Sequence, residues 1–373
     1  MYQKNFSIDW ILVVALVPIV IAGLVTMSSF TGETSFFWRQ FIWVIVSFAV
    51  MFGVSRIDIR FLKQTSVLMS LYGISVMLLA LLFFVADPVK GSIRWIDLGF
   101  FSFQPSDPAK IVLILVLAKY FSRRHIEIAQ IRHIIVSASY MMIMMLLIFF
   151  QPDFKSSLVF MVIWLGMVLV AGISKKHLLL VGSLVIVAFG MLWLFAFQPY
   201  QKQRIMTFIN PLSDIQGSGY NAYQSTIAVG SGQLLGKGVG YGSQSRLQFL
   251  PESETDFIFA SFAEEWGFIG SFLLIVCYGI LIWRIFANAL MGSSNFETLY
   301  GVGIGIYFSI HTLFNIGMNI GLLPVTGIPL PFMSYGGSNM LTSFLALGIL
   351  LAMRRYARPS RQEDVTKDIL ELT

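Results

Sequence analysis

The feature that most constrains this chain is the recurrence of apolar stretches of about 17 to 25 residues, each long enough to cross roughly 30 Å of hydrocarbon as a helix. Ten such segments fall near 9–28, 36–54, 66–86, 106–121, 132–150, 156–173, 177–197, 256–284, 299–320 and 337–353. A chain with 57% hydrophobic and 12% charged residues and a mean hydropathy of +0.78 has lipid as the solvent for most of its length. Within a bilayer the backbone must satisfy itself, and aperiodic Leu/Ile/Val/Phe/Met runs of this length favour helices over barrel strands. The expected fold is an all-α integral membrane protein of about ten transmembrane helices.

The first apolar run, Trp10 to Met27, lacks a small-x-small cleavage site and has only Lys4 ahead of it, so it reads as a retained helix rather than a signal peptide. The single cysteine, Cys277, lies inside an apolar segment, which leaves neither a disulfide framework nor a thiolate metal site. Alternating the loops between two sides gathers Arg56, Arg60, Lys63, Arg123, Arg124, Arg132, Lys175, Lys176, Arg284, Arg354 and Arg355 on one face. The other face holds Arg39, Lys90, Arg94, Lys110 and Lys155. The positive-inside rule then puts both termini in the cytoplasm. The net charge of +6 follows from that bias and from attraction to anionic lipid, with no call on nucleic acid. A transmembrane domain over 1–353 and a short charged cytoplasmic tail over 354–373 are expected, with one long extracytoplasmic loop near 199–255 between helices 7 and 8.

The outward face carries the sequence that chemistry could use. Asp256 stands where the long loop enters an apolar helix; it reads either as a helix-start carboxylate complementing the dipole or as a reactive acid at the membrane boundary. Eight residues further on, Glu264 falls within about a quarter-turn of the Asp256 face, whereas Glu265 points away. Acids inside a membrane are costly and therefore functional suspects. Asp153, after Pro152, is a turn or cap residue paired with Lys155, or a second acid. Arg94 and Lys110 stand on the side where cations are disfavoured, which suits holding an anion, while Ser106 or Asp107 can cap the fourth helix. His311, Asn315 and Asn319 form an i, i+4 polar stripe whose plain use is interhelical hydrogen bonding. The glycines of 230–242 neither follow a strand nor open a helix, so they suit flexible backbone near a headgroup better than a nucleotide.

Taken together, the segments RWIDLG (94–99), FQPS (103–106) with Lys110, QPD (151–153), YQKQRI (200–205), YQS (223–225), AVGSG (228–232), FLPE (249–252), TDFIF (255–259), AEE (263–265), NIGM (315–318) and GIPLPFMSYGGS (327–338) resemble the SEDS family of bacterial cell-wall proteins. The chain is more similar to the RodA branch than to the FtsW branch, through the 242–245 stretch and the short termini. The resemblance implies a peptidoglycan glycosyltransferase that polymerises lipid II outside the cytoplasmic membrane during elongation and shape maintenance. It implies a class B penicillin-binding protein as partner, with other elongation-complex membrane proteins nearby. Three departures stand out: Asp107-Pro108 where the family has Glu-Phe, Phe154-Lys155-Ser156 after QPD where it has Leu-Gly-Thr, and Trp266 where it has Leu.

On that reading the reaction is one inverting displacement at the lipid-linked donor. It needs a general base, for which Asp256 is the candidate with Asp153 in second line, and cations for the departing diphosphate, for which Arg94 and Lys110 are the candidates. A divalent cation, Mg or Mn, is an alternative source of charge, but no ligand set is legible. Gln104, Ser106, Asp107, Gln224, Ser225, Lys237 and Glu264 are the candidate substrate contacts. Two other functions compete: a lipid II flippase, suggested by ten helices and intramembrane Glu264 and Glu265, and a non-catalytic scaffold for a penicillin-binding protein.

Overall fold

The fold is known from a computed structural model, and the residues it describes are 9–30, 34–86, 92–97, 99, 102–123, 130–197, 199–210, 219–247 and 249–356. Seven long helices come first: α1 (Trp10–Ser28), α2 (Thr34–Val54), α3 (Thr65–Val85), α4 (Ser106–Ser122), α5 (Ile131–Phe150), α6 (Phe154–Ala171) and α7 (Lys175–Met191), the last extended by a π turn at Leu192–Ala196. Three shorter ones follow, α8 (Pro199–Ile209), α9 (Tyr220–Ser231) and α10 (Ser243–Arg246), before α11 (Ile258–Leu290), α12 (Asn295–Asn319) and α13 (Gly337–Tyr356). Eight of these are long and apolar enough to cross a membrane; α4 and α7, at 17 residues each, are shorter. Every expected apolar segment is helical. The long 199–255 connection carries three short helices among its described residues, the first opened by Pro199, whose fixed φ suits a first helical position. Between α3 and α4 a small antiparallel pair, β1 (Ile96–Asp97) and β2 (Ser102–Phe103), aligns Ile96 with Phe103. Of the expected tail, residues 357–373 lie outside the described residues.

Helix α4 runs through the middle of the bundle against α3, α6 and α12, and is buried along most of its length. Lipid offers no hydrophobic drive between helices, so close approach of backbones must supply dispersion contact. Gly303 of α12 does this: a Cβ there would stand 2.5 Å from Ile114 of α4. By contrast α7 turns Leu179, Leu184 and Ile186 outward, as a helix on the lipid side of the bundle does.

The contacts sort the connections onto two edges. One edge joins Asp9, at the start of α1, to Arg284 near the end of α11 and Arg354 at the end of α13, and joins Lys63 to Glu297 at the start of α12. The opposite edge joins Gln40 to Ser334, Gln104 to Ser338, and Lys155 to Gly327.

Helix α11 is broken at Gly267, whose φ of 64° and ψ of −164° are open to glycine alone. The break strands backbone groups, and the 233–238 turn satisfies them: Phe268 N donates to Gln233 O and Ile269 N to Leu234 O, while Lys237 N and Gly238 N donate to the carbonyls of Glu264 and Glu265. Irregular backbone at membrane depth is tolerable where protein covers it, as here. The glycine-rich run therefore docks into a helix break instead of remaining flexible backbone.

Candidate active site

The approach to α11 is a turn in which Glu252 O accepts from Thr255 N, Asp256 N and Phe257 N. The N-cap position is Phe257, which makes no side-chain cap hydrogen bond, so Asp256 does not cap the helix it precedes. Its main chain is held instead by α12. Asn315 Nδ2 donates to Asp256 O at 3.0 Å and to Ile328 O at 2.8 Å; Asn319 Nδ2 donates to Asp256 O at 3.2 Å, while Asn319 Oδ1 accepts from Ala260 N at 3.1 Å. The polar stripe does make interhelical hydrogen bonds, and what they fix is the backbone of the acid. His311 extends the stripe to Pro329 O. The 327–337 link closes over the turn from the other side, with Ser334 Oγ donating to Thr255 O and Tyr335 N to Glu254 O.

With its main chain clamped, the Asp256 side chain is 24% exposed, and among the described residues no hydrogen bond reaches its carboxylate. Among the described residues the nearest cation is Lys155, whose Nζ lies 4.0 Å from Asp256 Oδ1 and donates to Gly327 O at 2.6 Å. A Cβ at Gly327 would approach Asp256 Oδ2 to 2.7 Å, and the φ of 76° there also demands glycine. Adjacency in sequence pairs Lys155 with Asp153. The geometry gives Asp153 other partners: it caps α6 through Ser156 N and Ser156 Oγ, takes Gln104 Nε2 at 3.4 Å, and faces Arg94 at 4.0 Å. Arg94 is partly exposed, and its Nε is a buried donor without a partner among the described residues. The first turn of α6 thus ties Arg94 and Asp153 to Lys155 and Asp256 along one edge of the bundle.

The other sequence-derived candidates sit elsewhere. Lys110 is buried and paired at 2.9 Å with equally buried Asp107, above the Tyr307 ring, so it presents no open cation; the position beside the exposed acid belongs to Lys155. Gln104 and Ser106 are buried and hydrogen-bonded to each other. Ser225 is fully buried and donates to Asn319 O, which places it behind Asp256 instead of at a headgroup. Gln224, on the same helix, is half-buried with Oε1 unpartnered among the described residues. Glu264 is fully buried and accepts from Lys237, Ser243 and Gln244 N, and Glu265 accepts from Gly240 N. Those two acids and Lys237 hold the 237–244 segment onto α11. Among the described residues no three His, Cys, Asp or Glu side chains come together to hold a metal ion.

The fold and this edge define a multi-pass membrane protein with a partly exposed, backbone-clamped acid beside a lysine at one end of the helix bundle. The family model described as cell cycle protein FTSW_RODA_SPOVE matches residues 3–359, and the chain belongs to that family. It is 33% identical to "Probable peptidoglycan glycosyltransferase FtsW" of Wigglesworthia glossinidia brevipalpis and 33% identical to "Peptidoglycan glycosyltransferase MrdB" of Escherichia coli K12, each comparison covering 93% of both chains. Among solved structures, a chain of a peptidoglycan synthase complex that coordinates polymerization and crosslinking matches with TM-score 0.80 and 29% identity over 94% of this chain and 99% of that one. The rod shape determining protein RodA of Thermus thermophilus matches with TM-score 0.71 and 29% identity over 94% and 97%.

Proposed function

We propose that this chain is a peptidoglycan glycosyltransferase that polymerises lipid II into glycan strands at the outer face of the bacterial cytoplasmic membrane, working with a class B penicillin-binding protein. Chain growth moves the lipid-linked glycan from its diphosphate to the 4-hydroxyl of the incoming sugar, which converts an α linkage to β in one inverting step. Asp256 takes the hydroxyl proton. A diphosphate leaves as a stable anion, so cations replace the acid that a glycosidase supplies to its leaving group. In this reading Lys155 and Arg94 meet it, Asp153 orients Arg94, and Lys110 acts from behind through its pairing with Asp107.

The observation that carries this reading is the Asp256 carboxylate itself. Its backbone is fixed by two asparagines, yet its side chain is left out of capping and partly exposed beside a lysine. A flippase would need a polar path through the bilayer, and Glu264 and Glu265, the acids that suggested one, both bond to the docked turn. The test is polymerisation of labelled lipid II by the purified protein, with a cognate class B penicillin-binding protein whose transpeptidase site is blocked, for wild type and Asp256→Asn. Strands from wild type alone support the polymerase and its base. Absence of strands, with lipid II crossing sealed vesicles, overturns it in favour of translocation.

A further inference from the structure

The opposite, basic edge carries a second site. A cavity of about 560 Å³ opens between the start of α3, the end of α4 and the start of α5. Its polar wall is made by Lys119, Arg123, Arg132 and His133, and among the described residues no carboxylate lines it. Lys119 Nζ donates to a neutral acceptor, the carbonyl of Lys63. Glu297, the acid next to Lys63, is taken by the Lys63 ammonium at 2.7 Å and by Ser293 N and Oγ. Lys119 and the exposed Arg123 and Arg132 therefore face one cavity without a counter-charge from the described residues. Uncompensated cations held together repel, and an anion between them removes that cost.

Two further features point to the same ligand. Thr65 and Gln130, which line the cavity, stand at the starts of α3 and α5, and neither helix has a side-chain hydrogen bond at its N-cap, so first-turn N–H groups at both starts add positive potential. The rest of the wall is formed by Met69, Val116 and Val136 together with Tyr120 and Tyr140. A cationic wall joined to an aliphatic and aromatic one fits an amphiphile with an anionic head. The volume suits a headgroup and the first carbons of its chains.

We infer that this cavity binds the phosphate headgroup of an anionic phospholipid from the leaflet at the basic edge, a site separate from the one around Asp256. The test uses the full-length protein in neutral detergent, titrated with phosphatidylglycerol, phosphatidylcholine or inorganic phosphate and read by native mass spectrometry and thermal shift. Phosphatidylglycerol is expected to bind at least about tenfold more tightly than phosphatidylcholine, and removal of each cation by Lys119→Gln or Arg132→Gln to weaken it about fivefold. Lys175→Gln, on the same edge but outside the cavity, is expected to change nothing. Val136→Phe, which fills the apolar part while keeping every charge, should also reduce binding and serves if the charge variants fold poorly. Equal binding of the two lipids, or equal weakening by Lys175→Gln, overturns the site. Inorganic phosphate matching phosphatidylglycerol at the same concentration overturns the lipid assignment in favour of a soluble anion.

Discussion

Two aspartates, Asp9 and Asp256, each precede an apolar helix at a membrane edge, and the tertiary structure treats them oppositely. Asp9 is the N-cap of α1, with its side chain 1% exposed; Oδ1 accepts from Leu12 N, and Oδ2 accepts from Arg284, Asn288 and Arg354. Three helix ends meet on that one carboxylate. Asp256 has its main chain bound and its carboxylate open, with a lysine at 4.0 Å. A carboxylate whose lone pairs are all taken can only hold structure together. One that is fixed from behind and unengaged in front can accept a proton from a ligand.

Exchanging the roles by mutation tests that contrast. Asp256→Asn is expected to lower lipid II polymerisation by about 10² to 10⁴, the range for loss of a general base, while detergent-solubilised yield and thermal midpoint stay at wild-type values. A fall in midpoint as large as that of an Asp9 variant would make Asp256 structural and erase the contrast. Asp9→Asn is expected to do the reverse, costing about 3 kcal/mol of stability by leaving Arg284 and Arg354 partly uncompensated, with the folded fraction still active; denaturation in detergent reads it. Intermediate behaviour belongs to the clamp. Asn319→Leu removes one of the two donors to Asp256 O and should cost about 1–2 kcal/mol together with activity, showing in kcat more than in KM. Lys155→Met should leave stability near wild type and slow polymerisation about tenfold, as loss of one cation facing a departing anion would.

The smallest expected effect is one of pH. Burial of Asp9 opposes its ionisation, but the hydrogen bonds from Arg284, Asn288 and Leu12 N–H and the charge of Arg284 outweigh it and hold the carboxyl below its ordinary 3.8. A depressed folded-state value gives stability that is present above the ordinary value and is lost as pH falls through the folded one. Wild type should therefore lose stability relative to Asp9→Asn only below about pH 4. A difference that vanished already at pH 6 would remove Asp9 as the cause.

Much of the site was visible as residues but not as partnerships. Asp256, Arg94 and Asp153 were legible because a charged residue at a membrane boundary stands out against apolar sequence. Lys155 was visible too, as a departure from the QPD-Leu-Gly-Thr pattern, yet its partner lies about a hundred residues away, and adjacency in sequence pointed to Asp153 instead. The burial of Lys110 against Asp107 and of Ser225 against Asn319 was not legible for a related reason: position along the chain says nothing about which side of the bundle a side chain enters.

By itself the sequence determined the medium, the helices and their alternation between two edges, because length and apolarity in lipid leave the backbone no other solution. It also determined the family, through ordered motifs spread along the whole chain. Only the tertiary structure decided that α11 breaks at Gly267 to receive the 233–238 turn, that Asn315 and Asn319 grip the carbonyl of Asp256, and that Lys155 is its neighbouring cation. Those are contacts between segments far apart in sequence, and hydrogen bonds and charges act over a few ångströms, so they exist only once packing has brought the segments together.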